Sequence, residues 1–304
     1  MINNNIENTE SQYLINKVLT KTAIKKKANK PIIEWLKSQN QNYKAERLEN
    51  CANYLGITVI NNIAHVVRAD FCRERICAVC AWRRQSKFVA QMNPVLENLK
   101  SEGYEFIFAT LTIKNCYDKK LSAAIDILLK AYDRLLKRKK IKRAWKGVTR
   151  SLELTFNEET KTFHPHLHLL IAVNSDYFNS EDYITQEELT QFWKECAEVK
   201  YKPQVDIRKV TDEGGACVEV LKYALKPSGE QEAWSAFFYI LKGRRLVSFS
   251  GIFAQERKRL KLSSLEILTD FVKDMEKNRY TYTLYKLDVT GGVYTYIKEK
   301  DYTL

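Results

Sequence analysis

His164-Pro165-His166-Leu167-His168-Leu169-Leu170-Ile171-Ala172-Val173-Asn174 reads, from His166 onward, as a β-strand with two different faces. Alternate residues of a strand point to the same side. His166 and His168 therefore project together, while Leu167, Leu169 and Ile171 face the other way. The chain has four histidines, and three of them fall in these first five residues. Paired imidazoles on one face form a ready metal site, because histidine is the commonest transition-metal ligand. The alternative is two surface histidines, since burying adjacent imidazoles without a partner is costly.

A neighbouring strand is expected at Gly147–Asn157, joined through the short polar link Glu158–Phe163, which makes the two a hairpin. Within it Glu153 falls on the face opposite Leu152, Leu154 and Phe156. It is a candidate third ligand, or else a carboxylate on a solvated face. Two imidazoles and one carboxylate leave coordination positions open and suit Mn²⁺ or Mg²⁺ with a phosphate oxygen in the shell.

Further out, residues 104–115 are rich in aromatic and β-branched types and read as a strand. Leu121, Ile125, Leu128, Leu129, Tyr132, Leu135 and Leu136 are spaced for one amphipathic helix over residues 120–142. Its end, Lys137 to Arg143, is strongly basic and serves either the helix dipole or a DNA backbone. A helix is expected at Gln186–Ala197, a strand at Val205–Val210 and a helix from Gly215 to Lys226. More helices are expected at 231–242 and 262–277, with a closing hairpin between Tyr280 and Tyr302. The order β-α-β-β-α-β-α predicts an α+β fold, an antiparallel sheet covered by helices.

Cys72-x4-Cys77-x2-Cys80 is a compact cluster, followed by a helix from Trp82 to Leu99. With Cys51, beyond a hairpin at Ile57–Ala69, four thiolates would close a tetrahedral structural zinc site. His65 is an alternative fourth ligand. Arg73, Arg75, Arg83 and Arg84 flank the cluster and are candidate DNA contacts.

Glu219, Tyr223 and Lys226 share one side of the expected helix, at i, i+4 and i+7. A phenol can attack phosphorus, a carboxylate can activate water and an ammonium can neutralise phosphate. Such spacing also occurs on ordinary surface helices, so it gains weight only from the metal site.

The 304 residues carry a formal net charge of +13, which favours a polyanionic partner. No run approaches the ~18 apolar residues of a membrane span. The polar start lacks a signal-peptide core, so a cytoplasmic location is expected. An odd cysteine count there points to metal binding rather than disulfides.

Taken together, these motifs resemble the rolling-circle plasmid replication initiators, the Rep proteins of the HUH endonuclease superfamily, in the single-tyrosine branch. The resemblance rests on Phe108-Ala109-Thr110-Leu111-Thr112, His164–His168, the Glu219-x3-Tyr223-x2-Lys226 pattern and the stretch Cys72–Arg84. It departs from the family at Ala78, where proline often stands. The resemblance implies a palm-like sheet of about five strands with the histidine strand central and a small zinc-binding lobe before it.

It also implies a nickase and strand transferase. Tyr223 would form a 5′-phosphotyrosine link at the plasmid's double-strand origin, Lys226 would assist and Glu219 would activate water at termination. A single-stranded or hairpin nick site is the implied substrate, and host helicase and DNA polymerase are the implied partners. The expected division is residues 1–45, a basic polar arm; 46–99, the cysteine lobe and basic helix; 100–255, the catalytic domain; and 256–304, a C-terminal helix and hairpin. Rival readings are a transposase or relaxase with the same chemistry, and a zinc-dependent DNA-binding regulator without catalysis.

Overall fold

A computed structural model of the chain describes residues 3–60, 62–211, 231–260, 262, 280–288 and 292–302. The chain divides into two units, residues 1–83 with 265–304, and residues 84–264.

In the first unit the expected arm is helical. Helices α1 (Asn3–Lys27), α2 (Lys30–Ser38) and α3 (Asn42–Asn50) precede the first strand. Ile15, Leu19 and Thr22 of α1 recur at i, i+4 and i+7 and are buried, as are Ile32, Trp35 and Leu36 of α2. That spacing gives each helix a buried stripe, so the polar composition did not leave the segment without a core-facing side. Strands β1 (Tyr54–Ile60) and β2 (Ile63–Ala69) form the expected hairpin. The unit's other two strands, β8 (Tyr280–Asp288) and β9 (Val293–Tyr302), come from the other end of the chain. The antiparallel order is β2-β1-β8-β9, with Leu55 of β1 opposite Tyr285 of β8.

The second unit is built on a five-stranded antiparallel sheet of order β6-β3-β5-β4-β7. Its strands are β3 (Tyr104–Thr112), β4 (Gly147–Asn157), β5 (Thr162–Asn174), β6 (Val205–Lys209) and β7 (Val247–Gly251). The histidine strand β5 is the middle one, as expected. Strand β7, Val-Ser-Phe-Ser-Gly, was not anticipated, because its alternation is short and two of its five residues are serine.

One face of this sheet presents Ala109, Leu111, Val148, Leu152, Leu167, Leu169 and Ile171 to helices α5 (Asp118–Leu136) and α7 (Gln186–Ala197). Leu121, Ile125 and Leu128 of α5, with Leu189 and Trp193 of α7, complete that core. On the opposite face Phe106, Phe108, Leu170 and Ala172 pack under Met92, Val95, Leu96 and Leu99 of α4 (Ala78–Ser101). The apolar cover on this side ends at Phe108 and Leu170. One residue pair further along, the same face turns polar.

The single helix expected over residues 120–142 is two. It breaks at Arg138, whose extended backbone separates α5 from α6 (Lys139–Ala144). The break brings the basic run against α7. Arg134 pairs with Glu198 at 3.0 Å and Lys140 with Glu188 at 2.7 Å, while Arg138 pairs with Glu195 and Arg143 with Asp182. Three cations of the run offered to a DNA backbone, Arg138, Lys140 and Arg143, are thus engaged within the protein. Each pair is partly exposed and contributes modestly.

Candidate metal centres

The polar end of the five-stranded sheet gathers three potential ligands. His168 on β5 stands between Thr110 of β3 and Ser151 of β4, and His166 stands between Thr112 and Glu153. Paired residues in an antiparallel ladder share a face, so the alternation read from each strand places all of these side chains on one side. Glu153 Oε2 lies 2.7 Å from His168 Nε2 and 3.4 Å from His166 Nε2. Ligand atoms of the three residues all fall within 4.8 Å of one another, and both histidines are buried.

The other ring nitrogens are held as well. His166 Nδ1 is 3.1 Å from the carbonyl of His164, and since a carbonyl only accepts, Nδ1 carries the proton. His168 Nδ1 is 3.1 Å from Thr110 Oγ1, a hydroxyl that can donate or accept. Phe108 flanks His168 with ring centroids 5.5 Å apart. Burial alone would raise the Glu153 carboxyl, but hydrogen bonds from His166 and His168 outweigh it and hold the group at about 2. An ionised carboxylate and the Nε2 atoms of His166 and His168 therefore converge. That donor set fits a hard or borderline divalent cation with open positions. Ser151 Oγ, beside His168, is buried without a hydrogen-bond partner among the described residues.

A second cluster lies in the first unit. Cys51, Cys72, Cys77 and Cys80 are all buried and their sulfurs lie within 4.8 Å of one another. Three of the Sγ–Sγ separations, Cys51–Cys80, Cys72–Cys80 and Cys51–Cys77, are 3.6 Å. Sulfurs at about 2.3 Å from a tetrahedral zinc stand ~3.8 Å apart, so the cluster is sized for that ion. The fourth member is Cys51; His65 sits on β2 opposite Thr58 and is outside the group. The backbone N–H of Cys72 donates to Cys51 Sγ at 3.4 Å and that of Arg73 to Cys80 Sγ at 3.3 Å.

Around this cluster Arg73 and Arg75 are exposed. Arg83 is half-buried with its guanidinium 4.1 Å from the centre of the Phe71 ring, so part of its surface is already covered. Arg84 is half-buried as well. Glu219, Tyr223 and Lys226 lie outside the described residues. Sequence reasoning missed Thr110 and the His164 carbonyl as partners of the histidines. The register of β3 against β5 would have exposed Thr110, but no single strand encodes its neighbour.

The replication-protein family model Rep_1 matches residues 64–295. A Protein rep of Streptococcus pneumoniae serotype 2 is 36% identical over 234 residues, 73% of each chain. One from Bacillus amyloliquefaciens is 32% identical over 254 residues, covering 73% of this chain and 75% of that one. A Staphylococcus aureus Protein rep is 31% identical over 209 residues, 67% of this chain and 91% of its own. No solved structure matches the chain.

Proposed function

The chain belongs to the Rep_1 family of replication proteins, and from that premise we propose that it initiates rolling-circle replication of a plasmid by nicking one strand at the double-strand origin. The observation that carries this reading is the convergence of Glu153, His166 and His168 at the polar end of the central strand pair. A net charge of +13 suits the DNA substrate. Among the described residues, no helix is long and apolar enough to cross a membrane.

In this reading His166, His168 and Glu153 hold a divalent ion, Mn²⁺ or Mg²⁺, which when bound supplies Lewis acidity at a non-bridging oxygen of the scissile phosphate. The Tyr223 phenolic oxygen attacks phosphorus in line. Its bond to phosphorus forms as the bond to the 3′ oxygen breaks, leaving a 5′-phosphotyrosine and a 3′-hydroxyl that has taken up a proton. Lys226 neutralises phosphate charge. At termination Glu219 removes a proton from water, which then cleaves a newly exposed phosphodiester. Host polymerase extends the 3′-hydroxyl and a host helicase opens the duplex ahead of it. Arg73, Arg75, Arg83 and Arg84, on the zinc-closed cysteine lobe, contact the origin backbone.

The test is a covalent-adduct assay with Mn²⁺ and single-stranded origin oligonucleotides on a denaturing gel. A metal-dependent protein–DNA band that Tyr223→Phe abolishes while origin binding persists supports the nickase. Origin binding with no adduct in the wild type overturns it in favour of a DNA-binding regulator. Glu219→Gln is expected to nick normally and fail to terminate.

A further inference from the structure

The cysteine cluster is contacted from a part of the chain that precedes the family match at residues 64–295. Asn29, between α1 and α2, is fully buried. Its side-chain amide donates from Nδ2 to Cys77 Sγ at 3.3 Å. Its Oδ1 accepts the backbone N–H of Ala78, the first residue of α4, at 2.8 Å. A helix leaves its first N–H groups without intrahelical partners, so this oxygen satisfies a donor that would otherwise be orphaned next to a ligand. Three residues earlier Lys26 donates from Nζ to the carbonyls of Glu49 and Cys51, each at 2.7 Å, and to Asn53 Oδ1. One short segment thus grips two of the four cysteines, one through its sulfur and one through its backbone.

The chemistry of this contact goes beyond packing. Four thiolates on one zinc ion carry a net charge of minus two, and each sulfur keeps lone pairs that can be protonated or alkylated. A hydrogen bond donated to sulfur draws off charge and lowers its nucleophilicity, and such outer contacts set metal affinity and exchange. Cys51 and Cys80 receive backbone donors, from Cys72 and Arg73. Cys77 receives the Asn29 amide as well as the backbone N–H of Cys80.

We propose that Asn29 is a positioning residue of the cysteine cluster: its amide N–H holds and deactivates the Cys77 thiolate, which makes the N-terminal helices a working part of the metal lobe. This inference rests on the zinc reading of the cluster. A leucine or alanine at this position would remove both bonds at once. Aspartate separates them, since Asn29→Asp keeps an oxygen for Ala78 N–H and removes the donor to sulfur.

The experiment measures zinc content, zinc transfer to a colorimetric chelator and the order in which cysteines are alkylated, in full-length wild type and Asn29→Asp. The expected result is about one zinc per chain in both, transfer faster in the variant by on the order of 10-fold or more, and Cys77 alkylated earlier relative to the other three cysteines than in wild type. Wild-type transfer rate and unchanged alkylation order in a zinc-loaded Asn29→Asp would overturn the role of Asn29 alone. A wild type that holds no zinc would overturn the zinc reading and this inference with it. If the variant does not fold, wild-type protein substituted with NMR-active cadmium decides. A scalar coupling between the Asn29 side-chain amide and the metal is expected, and its absence overturns the proposal.

Discussion

Thr110 Oγ1 and His168 Nδ1 stand 3.1 Å apart across the β3–β5 ladder. A threonine hydroxyl can donate to an imidazole nitrogen or accept from it. It can thus donate to Nδ1 when Nε2 carries a proton toward Glu153, and accept from Nδ1–H when Nε2 presents a lone pair to a cation. Valine has the same shape and neither capacity. Thr110→Val is expected to weaken Mn²⁺ binding on the order of 10-fold or more, and Thr110→Ser to retain it. Titration of Mn²⁺ followed by electron paramagnetic resonance reads the difference, and equal affinity in Thr110→Val would deny the hydroxyl this role.

Glu153 connects the site to stability. Its carboxyl is held at about 2 against an ordinary 4.5, because the hydrogen bonds from His166 and His168 outweigh burial. A depressed carboxyl contributes stability above its unfolded value, and that contribution is lost as the pH falls through the folded one. In metal-free protein, wild type is therefore expected to lose more stability than Glu153→Gln as the pH drops from about 4.5 toward 2. Urea melts across that window measure it. Parallel pH profiles would show that the pair is not coupled to folding.

The two possible fourth ligands of the cysteine cluster separate in a simple comparison. Cys51→Ser is expected to lose bound zinc and destabilise the first unit, since a structural zinc contributes folding energy on the order of 10 kcal/mol. His65→Ala is expected to keep about one zinc per chain and wild-type folding. Metal analysis with circular dichroism checks both, and zinc loss in His65→Ala would reverse the assignment.

Gly251 ends β7 with φ +58° and ψ −138°, a region open to glycine. A Cβ there would stand 2.1 Å from the carbonyl oxygen of Lys146 and 2.7 Å from Gly147 Cα. Both are backbone atoms and neither can swing aside. Gly251→Ala is expected to cost about 3 kcal/mol or more, from strain and displacement of the β4–β7 edge. Chemical denaturation reads the loss, and a change under about 1 kcal/mol would mean that the edge yields freely.

Local periodicity carried a large part of this protein in its sequence alone. The alternation along β4 and β5 put Glu153, His166 and His168 on one face, and the cysteine spacing marked a metal cluster. Both are legible because a strand's period and a short loop's reach are properties of neighbouring residues. The tertiary structure decided what depends on distant partners. It paired β1 with β8 across more than two hundred residues and placed the five-residue β7 at the edge of the sheet. It chose Cys51 over His65, and it set Arg138, Lys140 and Arg143 of the basic run against acids of α7 and the segment before it. It also set Asn29 against Cys77 and Thr110 against His168. Burial and hydrogen bonding reward such contacts only once the chain has closed on itself, and no window of sequence contains both members of any of these pairs.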